Sequence, residues 1–315
     1  MAPFGVVLAT FGSAVTSEDV PAYLASVRGG REVPADLIEE FQRRYNRIGR
    51  SPLIDITLAQ CTALQASLDR VSHGDDARVV AGMLHSDPRL SDALDALAAG
   101  GSRRIVVVVL SPQYSPIILA GYERTVASWG AEHPDVDVRI AGAWHLIQEW
   151  IDALAERVEE ALASLEPQVR GRIPIIFTAH SLPRSVVDRD PGYITQLRDT
   201  AAAIATKLGL PGERWSFAYQ SAGHTPEEWL TPDVKDLFAG FRADGIGEIL
   251  VVPLQFLADH LEILYDIDIA AGDEATAAGI AMHRIALPNT QPTFIRALAA
   301  VVEREREGAA STAVP

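Results

Sequence analysis

The sequence has one cysteine, two lysines and no apolar run long enough to cross a bilayer, and each shortage excludes a class of protein. With Cys61 alone, neither a disulfide framework nor a thiolate-held cluster of iron or zinc can form within one chain. A reducing compartment fits, and the chain is expected in the cytoplasm, with peripheral membrane contact left open. A membrane span needs about 18 consecutive apolar residues, and no stretch approaches that. The opening FGVVLATFGSA lacks a positive leader, so a strand running into a Gly-Ser turn explains it better than a secretion signal. Phosphate fingerprints are missing too. Phe11-Gly12-Ser13 lacks further spaced glycines, there is no Walker sequence, and His180-Ser181 lacks the flanking glycines of a serine-hydrolase elbow.

Positive charge is also short: 27 basic residues face 42 acidic ones, for a net charge of -15. Such a balance argues against non-specific binding to nucleic acid or anionic lipid, which both require basic surface. An acidic ligand must therefore find a local basic patch. Lys207 and Lys235 are the only lysines, so arginine supplies the rest, with its rigid fork for carboxylates.

What is present is an alternation of short apolar β-rich runs with longer amphipathic stretches, the pattern of parallel sheets covered by helices on both faces. In the first half the runs are Phe4 to Thr10, Val79 to Leu84, Ile105 to Leu110 and Val136 to Ala141. In the second they are Ile173 to Phe177, Trp215 to Tyr219, Ile249 to Leu254 and Ile280 to Leu287. The halves match in detail: VVLATFGS compares with IIFTAHSLP, and IVVVVLSPQYS with ILVVPLQFLADH. Ile105 and Val136 stand 31 residues apart, as do Ile249 and Ile280. The fold expected is α/β, with two similar doubly wound four-stranded parallel-sheet domains produced by internal duplication, at residues 1-142 and 143-288. Between its first two strands the first half carries about 33 extra residues, on the ordinary assumption of short crossovers. Arg28, Arg31, Arg43, Arg44, Arg47 and Arg50 all fall in this insertion, around 28-53, interleaved with Tyr45 and followed by Ser51-Pro52. A final helix at 293-307 can pack back on the first domain, and the tail from Gly308 is expected to be disordered.

In open α/β sheets ligands bind beyond the carboxyl ends of the strands. The residues placed there are Phe11-Gly12-Ser13, His85, Gln113-Tyr114-Ser115, His180-Ser181, Gln220-Ser221 and the run Asp259, His260, Glu262, Asp266, Asp268. A cleft between two such domains would collect them. His180 is placed for proton transfer or metal ligation near neutral pH, although such a histidine also serves as a helix cap or a loop hydrogen-bonder. On a helix, Asp259, Glu262 and Asp266 recur at three and four residues and line one face. A charge run of this kind is commonly a solvated surface. Here Phe256, Leu257, Leu261, Ile263 and Leu264 interrupt it and would pin the helix to the interior, and imidazole with carboxylate suits a loosely held first-row divalent metal.

With these residues in view, the chain resembles the ferrochelatases, which insert ferrous iron into a porphyrin at the end of haem synthesis. AHSLP at 179 to 183, QSAGHTPEEWLTPDV at 220 to 234 and FLADHLEILYDID at 256 to 268 are close to the family's motifs in the right order, and RRYNRIGRSPL at 43 to 53 and SPQYS at 111 to 115 agree as well. The resemblance covers nearly the whole chain and implies the family's chelatase-like duplicated fold. It implies that His180 and Glu262 form the metal-site pair, one handling pyrrole protons and the other the iron, with Asp266 on the path by which iron approaches. It also implies a porphyrin in the interdomain cleft, contacted by Phe11, Arg28, Arg44, Tyr45, Ser51, Tyr122 and Ser221 and buttressed by Trp229, with the arginines engaging propionates.

Fe2+ is then a substrate, and neither an organic cofactor nor a [2Fe-2S] cluster is expected. Transient contact with neighbouring enzymes of haem synthesis is an expectation that goes with the family. Three departures stand out. Phe11 replaces a tyrosine that ligates product iron in one bacterial branch, Ala270 stands where some members carry a further acid, and Cys61 replaces the four cysteines of the cluster-binding relatives. Soluble members without an extended tail commonly use coproporphyrin III, whose four propionates suit the Arg-rich insertion, so that substrate is preferred over protoporphyrin IX. The rival readings are a haem-binding carrier without catalysis and a cobalt or nickel chelatase of the same architecture.

Overall fold

The computed structural model describes residues 3–71, 77–223 and 226–311. His224 and Thr225 of the 220 to 234 motif lie outside the described residues. The chain divides into two compact units, one comprising residues 1–112, 118–144 and 289–315, the other 113–117 and 145–288.

The first unit is built on β1 (Phe4–Thr10), β2 (Ala77–Met83), β3 (Arg104–Val109) and β4 (Asp137–Ile140), all parallel in the order β2-β1-β3-β4. Every residue of β1 is buried, which is why it reads as an unbroken apolar run and not as an alternation. One face carries α4 (Leu90–Ala99) and α5 (Pro116–Glu132), where Val7, Ile105 and Val107 meet Leu94, Leu97, Leu119 and Trp129. The other carries α3 (Leu53–Val71), which packs on β1 and β2 and against α12 (Pro292–Ser311). The insertion folds as α1 (Val20–Val27) and α2 (Ala35–Ile48), two helices that precede the crossover helix α3.

The second unit repeats the plan. After α6 (Gln148–Ala163) and the single turn α7 (Pro167–Arg170) come β5 (Ile175–His180), the short α8 (Arg184–Val187), α9 (Pro191–Lys207), β6 (Trp215–Gln220), α10 (Phe238–Ala243), β7 (Glu248–Pro253), a π-helix at Glu262–Ala271, α11 (Gly272–Ala277) and β8 (Ala281–Arg284). The four strands are parallel in the order β6-β5-β7-β8, the same order as in the first sheet. Ile176, Ile249 and Val251 pack against Phe238, Ile263, Ile267 and Ala275 on one face. The segment 113–117 belongs here: Gln196 accepts from the Tyr114 N–H at 2.8 Å and donates to its carbonyl at 2.9 Å.

β5 ends at His180, where the sequence places the end of this strand, because Ala179 and His180 pair with Tyr219 and Gln220. One expectation is corrected. The last helix does not stop at 307 but continues to Ser311, so the residues from Gly308 to Ser311 are helical and not disordered. A glycine costs about 1 kcal/mol in a helix and does not by itself end one. Arg139 donates to the Glu305 carbonyl at 2.7 Å and Arg104 to that of Arg306 at 3.3 Å, holding the turn before Gly308 to the sheet.

Gly82 marks a close approach in the first unit, since a Cβ there would meet Val7 Cγ1 at 2.9 Å and the Leu90 Cα at 3.0 Å. Because one of those neighbours is backbone, Gly82→Ala is expected to destabilise the protein by about 1–3 kcal/mol. A thermal melt indistinguishable from wild type would refute this reading of the packing.

Candidate active site

His180 is the last residue of β5, so the sheet fixes its main chain while its side chain projects beyond the strand end. Its Nδ1 faces the Ser181 carbonyl at 2.5 Å. A carbonyl only accepts, so Nδ1 carries the hydrogen and the neutral ring presents a bare Nε2. That Nε2 lies 3.7 Å from Glu262 Oε2. Beside it on β6, Gln220 accepts from the Thr178 hydroxyl at 2.7 Å, while among the described residues Gln220 Nε2 and the Ser221 hydroxyl are buried without hydrogen-bond partners. Buried polar atoms left without partners are uncommon. Ser221 is also held at φ 59°, a left-handed conformation that few non-glycine residues adopt.

Glu262 opens the π-helix, a wider coil whose bonds run from i to i+5 and which is found mostly as a local feature at functional sites. The expected face of Asp259, Glu262 and Asp266 is therefore corrected. Asp259 lies ahead of the helix in non-helical chain, and Arg284 from the end of β8 approaches it at 3.5 Å. The same guanidinium grips Asp268 on the helix with two bonds, of 2.7 and 2.9 Å. Asp266 is half-buried on the π-helix, four residues after Glu262. Among the described residues, no three His, Cys, Asp or Glu side chains are gathered into a preformed metal cage.

His260 belongs to this site, although its place in the motif alone does not single it out. Its Nδ1 faces the Ala258 carbonyl at 2.9 Å and its Nε2 lies 3.7 Å from the same Glu262 Oε2 that His180 approaches. Burial opposes a charge on the ring, whose side chain is 16% exposed. The Glu262 bond and charge, with the Ala258 carbonyl, outweigh that penalty and raise its pKa above the ordinary histidine value. On a regular helix positions 260 and 262 point apart; they converge here because the chain is not helical until Leu261.

Trp229 is tied in by the chain after β5, where Leu182 and Arg184 pair with Leu230 and Glu228 through bonds of 3.0 and 2.8 Å, and Pro183 bridges to Trp229. Its ring lies over Gly223, where a Cβ would come within 2.5 Å of it. The other expected porphyrin contacts lie in the first unit. Phe11 is 46% exposed with its ring centroid 4.5 Å from that of His85. Arg28 caps α1 and donates to the Glu32 carbonyl at 3.1 Å. Arg44 pairs with Glu40 and lies over the Phe41 ring.

Tyr45 and Ser51 are only 1% and 2% exposed. Both bond to the Ser13 hydroxyl, at 2.9 and 3.0 Å, and so anchor α2 and the start of α3 to the loop after β1. Tyr122 is likewise buried in the core between sheet and α5, where burial pushes its phenol upward. These three offer no surface to a ligand in this structure. Cys61 is buried too, and burial pushes its thiol up to about 12, so it stays protonated.

The doubled sheet is a fold known from metal chelatases. SirB from Bacillus subtilis with Fe3+ superposes with a TM-score of 0.62 at 12% identity, covering 96% of this chain and 94% of that one. The sirohydrochlorin chelatase SirB from Bacillus subtilis subspecies spizizenii, in complex with cobalt, gives a TM-score of 0.56 at 11% identity, with the same coverage. At sequence level the match is narrower, for the ferrochelatase family model covers residues 3–306. A ferrochelatase from Deinococcus radiodurans is 34% identical, over 96% of each chain, and one from Thermus thermophilus 36% identical, over 95% of this chain and 98% of that one. A coproporphyrin III ferrochelatase from Geobacillus sp. (strain WCH70) is 33% identical, over 95% and 96%. The chain belongs to the ferrochelatase family, lyases that insert a metal into a porphyrin in haem synthesis.

The environment of His260 sets a pH dependence. With its folded pKa raised, its contribution to stability is full below the unfolded histidine value of about 6.5 and is lost as pH rises through the folded value. Melts of metal-free wild type and His260→Gln should therefore differ most on the acid side and converge toward alkaline pH. A gap that widens as pH rises would contradict the charge pairing.

Proposed function

We propose that this ferrochelatase acts on coproporphyrin III, inserting Fe2+ to give coprohaem, in the cytoplasm. The observation that carries the preference is the arginine-rich insertion, in which Arg31, Arg43, Arg47 and Arg50 stand exposed on or beside α1 and α2, near Arg28 and Arg44. Coproporphyrin III offers four carboxylates to such a surface, and arginine forks match carboxylates two bonds at a time. The relatives are named both ways, some ferrochelatase and some coproporphyrin III ferrochelatase, at similar identity.

The chemistry is an exchange. Two pyrrole N–H protons leave the ring as one divalent cation enters, so charge balances with no electron transfer and no organic cofactor. His180 Nε2, bare in the neutral ring, and Glu262 Oε2, 3.7 Å away, form a pair of acceptors for which a proton or Fe2+ can compete. His260 balances the charge of Glu262 at the same oxygen. Asp266, further along the π-helix, offers the incoming iron a carboxylate, and the unpartnered hydroxyl of Ser221 offers the macrocycle's edge a hydrogen bond. Phe11, Arg28, Arg44 and Trp229 complete the porphyrin contacts. Tyr45 and Ser51 act indirectly, by anchoring α2 through Ser13, and Tyr122 is a core residue. Bending the ring requires binding energy drawn from remote groups, which is what held propionates supply.

Steady-state insertion of Fe2+ into coproporphyrin III and protoporphyrin IX under anaerobic conditions tests the substrate. A higher kcat/KM on coproporphyrin III is expected, with Arg28→Ala raising KM for it by about 10-fold, the worth of one charged hydrogen bond. Faster turnover of protoporphyrin IX would reverse the assignment. His180→Ala should lower kcat by at least about 100-fold, the usual scale of a lost general base or ligand. Unchanged insertion in that variant would leave the haem-carrier reading instead.

A further inference from the structure

His180 owes its position to a side chain outside the strand pair that carries it. Along β5 the main-chain bonds alternate between neighbours: the Thr178 carbonyl accepts from the Leu254 N–H at 3.0 Å on the β7 side, and the Ser181 N–H donates to the Gln220 carbonyl at 2.7 Å on the β6 side. The His180 N–H therefore faces β7, but the last pairing between these strands is Thr178 with Pro253, and the chain turns at Leu254 and Gln255. The rung is completed by a side chain: the His180 N–H donates to Gln255 Oε1 at 2.9 Å.

A backbone N–H can only donate, so this bond identifies the amide oxygen and directs Gln255 Nε2 the other way. There it donates to the hydroxyl of Tyr193, which is 2% exposed at the start of α9. Burial holds that phenol protonated; the Gln255 bond opposes this, and the nearby charges of Asp190 and Glu262 reinforce it. One amide thus joins the main chain of His180, the exit from β7 and a buried tyrosine close enough to Glu262 to feel its charge.

We infer that Gln255 is a positioning residue for metal insertion, its side chain extending the sheet one rung past the end of β7 and so setting the His180 imidazole opposite Glu262. The inference rests on the catalytic reading of His180. It goes beyond it in assigning the separation of the pair to a residue that touches neither porphyrin nor iron.

Gln255→Leu, near in size but without hydrogen bonds, is expected to lower kcat about 10-fold or more, since displacement of a reacting group by about 1 Å can cost up to 100-fold. KM for the porphyrin should stay within about twofold of wild type, and the pH profile of kcat should shift, because the relation of His180 to Glu262 changes while porphyrin contacts do not. Gln255→Glu keeps an acceptor for the His180 N–H, and the Tyr193 hydroxyl can turn to donate, so most of the lost kcat should return. Equal losses in both variants, or a wild-type kcat and pH profile in Gln255→Leu, would overturn the inference. If Gln255→Leu does not fold, Gln255→Asn, which shortens the reach by one methylene, gives the same comparison. His180→Ala measured alongside separates the two claims: full insertion there defeats the catalytic reading itself, whereas loss there with wild-type rates in Gln255→Leu defeats only the role of Gln255.

Discussion

Two imidazole nitrogens and a carboxylate oxygen converge at the end of a parallel sheet, with His180 and His260 each 3.7 Å from one oxygen of Glu262. Lone pairs and negative charge brought this close repel unless something positive sits among them. The surroundings address that constraint. The two Nδ1 atoms donate to carbonyls of Ser181 and Ala258, which turns both Nε2 atoms inward. Arg284 takes up Asp259 and Asp268, so two carboxylates of the acidic run spend their charge on a guanidinium of the protein. A proton on His260 meets part of this demand, since the Glu262 carboxylate holds that imidazole's pKa above its ordinary value.

The duplicated architecture places such a site at the carboxyl edge of one sheet. Each sheet has the same order with its first strand in an interior position, and in the second unit that strand delivers His180 directly to the carboxyl edge. The equivalent strand of the first unit ends in Phe11-Gly12-Ser13, where Ser13 anchors Tyr45 and Ser51 and thereby the arginine-bearing helix α2. The same strand end presents an imidazole in one copy and anchors an arginine-bearing helix in the other.

Much of this is legible in the sequence, for identifiable reasons. Strands buried on both faces appear as apolar runs, and their repeat at equal spacing reveals the duplication. His180 and Glu262 can be read because each follows such a run. Hidden are the features that depend on departures from regular geometry. His260 joins Glu262 only because the chain between them is not helical, and Asp259 leaves the acidic face for the same reason. Tyr45 and Ser51 sit in the 43 to 53 motif, yet a motif does not record exposure; both are buried, as is Tyr122 on α5. Gly308 resembles a helix terminus because composition says nothing of Arg104 and Arg139 waiting on the sheet.

The last helix has a bearing on how the polypeptide is made. α12 closes one face of the first unit with Phe294, Leu298, Val301 and Val302, all buried, yet it is encoded after the whole of the second unit. During synthesis from the amino terminus, the first sheet leaves the ribosome with that face covered by α3 alone, over β1 and β2, and keeps it so while the following 144 residues, 145–288, are added. The second unit, apart from the short piece 113–117, is contiguous in the chain, whereas the first is completed only when α12 emerges behind it.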